Sequence, residues 1–425
     1  MLGQPHGTPL AVGQPAPGGS DLGAISCPTA SRCWAVGVAG PGTGPGNPAT
    51  VIVATRDGGK QWEPQPVSGP FIPQLSAVSC PSATRCMAVG SDGASVPGSG
   101  VVFTTVDGGA TWTQAAAPPG VLTVGNVVCT SSAHCTAIAN DGAQMWSARS
   151  DDFGHSWQRM GNLPPGFVGA EAMSCPTDGP CLIAGYTPTS TGHGQGAIAL
   201  SPDGGQTWAL ASVPAGSGLL QGATCITMSV CLAGGSTSTT VSDVVPAHGQ
   251  LLRSVDGGHT WTASTPPPVD NVYDIACPSA SVCAMVGTRW LGSPAVATGA
   301  VAQSRNQGST FASSPAAYVP LTLTALDCPH AASCLAAGGA TLARITLVKP
   351  VVRTGKHLST TAGTARGSPP TSAAVRLSGG RRRGAARGSS RPTARPRRRR
   401  PGASHRGTPS QWRTTPASAA RGMAP

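Results

Sequence analysis

The sequence predicts an all-β fold: a seven-bladed β-propeller of four-stranded antiparallel blades, followed by a disordered basic tail. Two periodicities and one shift in composition carry that prediction. Cysteine pairs with five residues between their members occur seven times, about every 50 residues, and use all 14 cysteines. They are Cys27/Cys33, Cys80/Cys86, Cys129/Cys135, Cys175/Cys181, Cys225/Cys231, Cys277/Cys283 and Cys328/Cys334. A second motif runs in phase with them, for example Thr55-Arg56-Asp57-Gly58-Gly59-Lys60-Gln61-Trp62 and Thr105-Val106-Asp107-Gly108-Gly109-Ala110-Thr111-Trp112. Further copies lie at Ser150…Trp157, Ser201…Trp208 and Ser254…Trp261, with a degraded one at Ser304…Phe311. Two independent periodicities with one period mean a repeat architecture. From about Arg353 both stop.

One repeat supplies four strands. In the second, Ala77–Cys80 is a short alternating strand and the turn residues Pro81–Thr84 follow. Cys86–Gly90 is a second strand ended by glycine, and Val101–Thr105 a third. Asp107-Gly108-Gly109 makes a tight hairpin, and Trp112 opens the fourth. Seven such units describe a propeller. The seventh has strands around Leu326–Cys328, Cys334–Ala337 and Leu342–Leu347 but lacks the second motif. Elsewhere the motif aromatic precedes the next first cysteine by 16 to 18 residues, and counting back from Cys27 lands near Leu10. The segment Gly7–Val12 is therefore expected to supply the missing fourth strand and close the ring, removing the exposed sheet edges.

Each cysteine pair is read as a local disulfide across the first hairpin. Long-range bridges would differ from copy to copy, and metal binding would need about four converging ligands with a matching histidine in each repeat. Regular pairing of this kind points to an oxidising compartment, so the protein is expected in the extracellular space or cell envelope. Met1-Leu2-Gly3-Gln4-Pro5-His6 has no basic n-region and no apolar h-region, so an export leader is expected upstream of it. No stretch of 18 apolar residues offers a membrane span.

The Ser/Thr-x-Asp-Gly-Gly-x-Thr-Trp motif resembles the Asp-box, or BNR repeat, of sialidase-like propellers. Related families are the photosystem II assembly-factor-like and sortilin-type propellers, with WD40/YVTN/BNR-like repeats. The resemblance spans residues 50–311 motif by motif, and it implies a structural hairpin. The residues suit that role: Asp and Ser/Thr can bond the turn's own backbone, glycine allows positive φ, and Trp fills the seam between sheets.

In such a blade the cysteine hairpins and Asp-Gly-Gly turns share one face. The irregular 2–3 loops (38–50, 91–100, 186–196, 235–250, 288–299) and the blade connectors share the other, where binding is expected. The sialidase resemblance implies a three-arginine clamp, a Tyr–Glu pair and an Asp acid/base. Arg32, Arg85, Arg56, Arg305, Arg149 and Arg253 sit on the uniform face, leaving Arg289 on the variable one, and Glu171 and Tyr273 lie two blades apart. A two-carboxylate glycoside hydrolase remains open, with Asp92, Asp141, Asp243 and Asp270 as candidate catalytic residues; loop aspartates also commonly make Asx turns. Arg289 and Trp290 lead the ligand-binding candidates, joined by Tyr186, Tyr273, Phe71 and Phe167. His193 and His248 lack a third partner, so no metal site is expected. No P-loop, dinucleotide or nucleophile-elbow motif occurs, and no cofactor is expected.

Residues 351–425 contain 17 of the 28 Lys and Arg and none of the 16 Asp and Glu. Residues 1–350 therefore carry 11 basic and 16 acidic side chains, a net of −5, which argues against nucleic-acid binding by the repeats. The tail has the composition of a disordered segment and could meet polyanions, or could reflect a frameshifted GC-rich gene. The sequence-level expectation is thus a propeller over 1–350 and a tail over 351–425. Its function is that of a monomeric, non-catalytic exported scaffold binding a glycan or protein on its variable-loop face; the alternative is the glycoside hydrolase.

Overall fold

The computed structural model describes residues 11–39, 50–67, 74–92, 98–176, 180–189, 194–239, 248–291, 296–313 and 322–347. They form a seven-bladed β-propeller of four-stranded antiparallel sheets. Six blades pair their strands in chain order. The first strands are Asp21–Ser26, Gln74–Ser79, Thr123–Cys129, Val168–Ser174, Leu220–Cys225 and Asn271–Ala276. Blade seven runs Ala325–His330, Ser333–Gly338 and Thr341–Thr346, and the N-terminal strand Ala11–Pro15 completes it. Ring closure by the N-terminus is thus present, with Ala11 opposite Ile345 and Pro15 opposite Thr341. The strand takes in Ala11 and Val12 of the expected segment, whose residues 7–10 lie outside the described residues.

The first strand of each blade packs on the first strand of the next, all the way round, so these seven strands line the propeller axis. Apolar side chains bury between neighbouring blades, one cluster at each of the seven junctions. Burial at roughly 25 cal/mol per Å2 therefore accrues at interfaces between blades and not within a single sheet. Side-chain oxygens add an inter-blade ladder. Ser26 Oγ accepts the Cys80 amide at 3.1 Å, Ser79 Oγ accepts the Cys129 amide at 2.9 Å, and the Asp327 carboxylate accepts the Cys27 amide at 2.6 Å across the closing junction.

All seven cysteine pairs are disulfides, with Cα–Cα distances of 3.9 to 4.1 Å. Each ties the end of a first strand to the start of a second. The chain-entropy estimate for so short a loop is about 2 kcal/mol per bridge. The Asp-Gly-Gly turns are bonded alike. Thr105 Oγ1 donates to Asp107 Oδ1 (2.7 Å) and accepts the Gly109 amide (2.9 Å), while the Asp107 carboxylate accepts from the Thr111 amide and hydroxyl (3.0 and 2.6 Å). These bonds hold the Asp107 carboxyl well below the usual carboxylate range, the Thr111 hydroxyl being the largest cause. In the degraded sixth copy Asn306 makes the same contacts with Ser304 and Thr310.

Glycine near the end of the second strand has a sharper role than strand termination. The second strands continue past it, as Gly90 is followed by Ser91 in Cys86–Ser91. Across from these glycines the first strand carries a one-residue bulge, seen between Leu22 and Ala24 and between Leu75 and Ala77. The bulge draws the two backbones together. A Cβ at Gly37, Gly90, Gly185, Gly235 or Gly287 would lie 1.8–2.1 Å from a first-strand carbonyl oxygen. No side chain fits there.

Two outcomes follow. Deleting residues 1–15 should lower the melting temperature of the oxidised protein as one cooperative transition, because the whole ring depends on its last strand; an unchanged melting temperature would show that the ring does not need it. Exposed Gln307 holds φ at 59° where four of the other five copies of the turn place glycine and the third copy places Phe153. Gln307→Gly should therefore raise stability by about 1 kcal/mol, read as a higher denaturant midpoint.

Candidate functional site

The irregular face is built on two hairpins that are longer than expected. The described parts of the 186–196 and 288–299 segments are almost entirely strand, with 190–193 and 292–295 outside the described residues. In blade four the second and third strands run Cys181–Pro188 and Gly194–Ser201, and in blade six Cys283–Leu291 and Val296–Ser304. Arg289 and Trp290 are consequently strand residues, opposite Thr298 and Ala297. Backbone pairing continues because the blade-six segment is rich in β-formers, and Thr298 Oγ1 donates to the Arg289 carbonyl at 3.0 Å. Trp290 is half-buried, and beside it Leu291 and Val296 are 38% and 60% exposed, so the outermost described residues of the hairpin are apolar.

The hairpin root is clamped by one candidate residue. The Asp270 carboxylate accepts the Trp290 amide at 2.7 Å, and the Asp270 amide donates to the Thr288 carbonyl at 2.8 Å. Structure therefore brings Asp270, Arg289 and Trp290 together. Asp92 is buried, and its carboxylate accepts the Ser99 amide and hydroxyl at 2.9 and 2.8 Å, bracketing its own loop. Asp141 caps a tight turn, accepting the Gln144 and Ala143 amides at 3.0 Å each, with Arg159 at 3.4 Å. The Gln144 and Ala143 amides are the main reason its carboxyl stays below the usual range. Phe167 is core, between blades three and four, and His248 is exposed at the base of a third-strand start. Asp243, His193 and Phe71 lie outside the described residues.

The arginines of the uniform face tie blades together. Arg32 donates to the Ala83 carbonyl (3.1 Å) and Arg85 to Ser132 (2.7 Å), each on the next blade's cysteine hairpin, and Arg305 donates to the Leu347 carbonyl (3.2 Å) just past the third strand of the next blade. Between blades three, four and five a groove of about 450 Å3 opens on that face, bordered by His134, Arg149, Pro176, Pro202 and Met228. Asp151 bonds both His134 and Arg149 (2.6 and 2.7 Å). Among the described residues no group of three or more side chains could hold a metal ion, and no helix is long and apolar enough to cross a membrane.

The axis holds residues whose shared role the sequence reading missed. In five blades the residue four before the first cysteine is the bulged one, Gly23, Ser76, Gly125, Gln221 and Tyr273; Glu171 lies in a wider irregularity between Val168 and Ala172, and Thr324 holds the same position before Cys328. The residues flanking this position are buried in every blade but the fourth, where Ala170 is half-buried, and six of the seven residues at the position itself are half-buried. A Cβ added at Gly23 meets nothing within 4 Å. The bulge thus takes this residue off the inter-blade faces of the innermost strands, toward the propeller axis. Tyr273 belongs to this ring, not to a loop. Glu171 is the deepest member at 8% exposure, and burial pushes its carboxyl up to about 8. The tyrosine that feels Glu171 is Tyr186 on the same blade: burial first, then the Glu171 charge, raises its phenol. Alignment on the cysteines was the signal that could have revealed the ring.

No family model matches this chain, and no curated protein matches it. Solved structures do. The structure described as YCF48 bound to D1 peptide is 16% identical, with a TM-score of 0.58, covering 80% of this chain and 96% of that one. YCF48 from Cyanidioschyzon merolae is 14% identical at a TM-score of 0.53, covering 79% of this chain and 98% of that one. At such identities the likeness establishes the propeller fold.

Glu171 has a thermodynamic consequence. Its folded pKa lies above the unfolded value, so between about pH 4.5 and 8 the native state holds a proton the unfolded chain has lost. Stability should fall as pH rises through that window. Glu171→Gln removes the term, so its melting temperature should match the parent at pH 4.5 and exceed it progressively to pH 8.5. Parallel curves would show that the carboxyl titrates normally.

Proposed function

We propose that this chain is a non-catalytic, exported scaffold that holds an extended peptide segment of a partner protein on its variable-loop face, with a glycan as the alternative ligand. The observation that carries the reading is the blade-six hairpin. It projects an aromatic and two exposed aliphatic side chains, Trp290, Leu291 and Val296, from a root clamped by Asp270. Exposed aliphatic side chains beside a half-buried tryptophan on a paired hairpin suit an extended chain, and aromatic anchors dominate such contacts. The solved YCF48–D1 peptide pair gives a precedent of a peptide on this fold. The bonding of the six copies of this turn, four of them Asp-Gly-Gly, supports membership among Asp-box (BNR) propellers of the sialidase superfamily, and seven disulfides support an oxidising compartment.

The hydrolase reading needs two carboxyls facing each other across a groove at roughly 6.5–9.5 Å. Asp92, Asp141 and Asp270 each hold the backbone of their own or an adjacent loop, which favours the scaffold. Residues 351–425 are proposed as a separate basic segment, reaching polyanions by charge alone.

The full-length oxidised protein should enrich a set of peptides from a displayed library, and Trp290→Ala should weaken their binding at least ~10-fold. The same preparation should release no sugar from a broad polysaccharide and sialoglycan panel. Release that disappears in Asp270→Ala or Asp141→Ala would replace the scaffold reading with a hydrolase.

A further inference from the structure

The axial ring is lopsided. Blades one to three contribute Gly23, Ser76 and Gly125, and blades four to six contribute Glu171, Gln221 and Tyr273. Small residues leave space on one side; hydrogen-bonding groups line the other. Those groups are not consumed by the fold. Glu171, more than nine-tenths buried, makes no hydrogen bond or ion pair with a described residue, and the buried Gln221 Oε1 accepts none. Ser76 shows the contrast: its Oγ lies 3.0 and 3.1 Å from the Val124 and Gly125 carbonyls of the next blade.

The sign of the site follows from its surroundings. The strands packed against Val168–Ser174 are Thr123–Cys129, Cys181–Pro188 and Leu220–Cys225. Their only titratable side chain, disulfide cysteines aside, is Tyr186; they contain no Lys, Arg or His. Nothing from these strands neutralises a carboxylate at Glu171. The Tyr186 ring lies over Gly169, where an added Cβ would sit 2.1 Å from it, so an aromatic wall stands two residues from the acid. A carboxyl, a carboxamide oxygen and tyrosine rings around open space are complementary to a cation with several N–H donors on an apolar stem.

We propose that the axial channel binds an alkylammonium group, the Glu171 carboxylate and Gln221 Oε1 accepting its N–H donors while the tyrosines of blades four and six flank its alkyl stem. The site is separate from the blade-six hairpin and does not rest on the peptide reading. Because buried Glu171 holds its proton to about pH 8, ammonium binding below that pH must expel it. Affinity therefore rises with pH across the range in which an alkylamine stays charged.

The test titrates the full-length oxidised protein with n-butylammonium chloride by calorimetry or NMR at pH 6 and 8.5, with n-butanol as the uncharged control and Nα-acetyl-lysine methylamide as the side-chain form. Saturable butylammonium binding, at least ~10-fold tighter at pH 8.5 and absent for butanol, is expected. Glu171→Gln should abolish it. Gly125→Lys should also abolish it by placing a tethered ammonium in the open half of the ring. Binding of the lysine derivative would extend the site to protein side chains; its failure alongside butylammonium binding would confine the site to small amines. No saturable binding at pH 8.5, equal binding of butanol, or full binding by folded Glu171→Gln protein would overturn the proposal. Gln221→Leu, away from the titrating group, checks the same prediction should Glu171→Gln not fold. Loss of affinity without loss of the pH dependence is its expected result, and unchanged affinity would overturn the proposal.

Discussion

A blade of this propeller has no core of its own: its apolar side chains become buried only against the blades on either side. The last junction must therefore form for the first to be stable, and the chain commits several devices to it. The strand Ala11–Pro15 zips onto Thr341–Thr346, the Leu22 amide donates to Gly339 at 2.9 Å, and the Asp327 carboxylate takes the Cys27 amide. Leu22 and Ile25 then share a buried cluster with Leu335 and Leu342. Disulfides cannot substitute for this closure, because each lies within one hairpin.

Packing seven first strands around one axis forces them close to their second strands, and the bulge is how the crowding is relieved. It imposes glycine on the second strand, where a Cβ would meet a carbonyl. It also takes one residue of the first strand out of the apolar inter-blade clusters. That residue is released from packing, so Gly, Ser, Glu, Gln, Tyr and Thr can all occupy it. The most constrained backbone in the molecule thus presents its least constrained side chain, and Glu171 sits there with its acidity set by burial alone.

Charge is distributed with a similar division of labour. Arginines of the uniform face reach carbonyl oxygens of the next blade and so act as inter-blade ties. Aspartates of the Asp-Gly-Gly turns are surrounded by their own amides and hydroxyls. On the irregular face, Asp270 instead bonds the Trp290 amide and anchors a hairpin that carries exposed Leu291 and Val296.

The blade count, the strand order, the disulfide partners and the role of the Asp-Gly-Gly turns were legible in the sequence, because each is an interaction within a single repeat and is written seven or six times. Even the closing strand could be located by spacing, to within a few residues of Ala11. The candidate site was legible only in part. Arg289 and Trp290 were identifiable as unusual residues in an irregular segment, yet their place in a strand depends on partners Thr298 and Ala297, and their anchor on Asp270 of the preceding connector. Tyr273 and Glu171 belong to one channel because the bulge breaks the two-residue alternation of their strands. A bulge arises from the crowding of seven strands about an axis, so only the closed ring decides which side chain faces it.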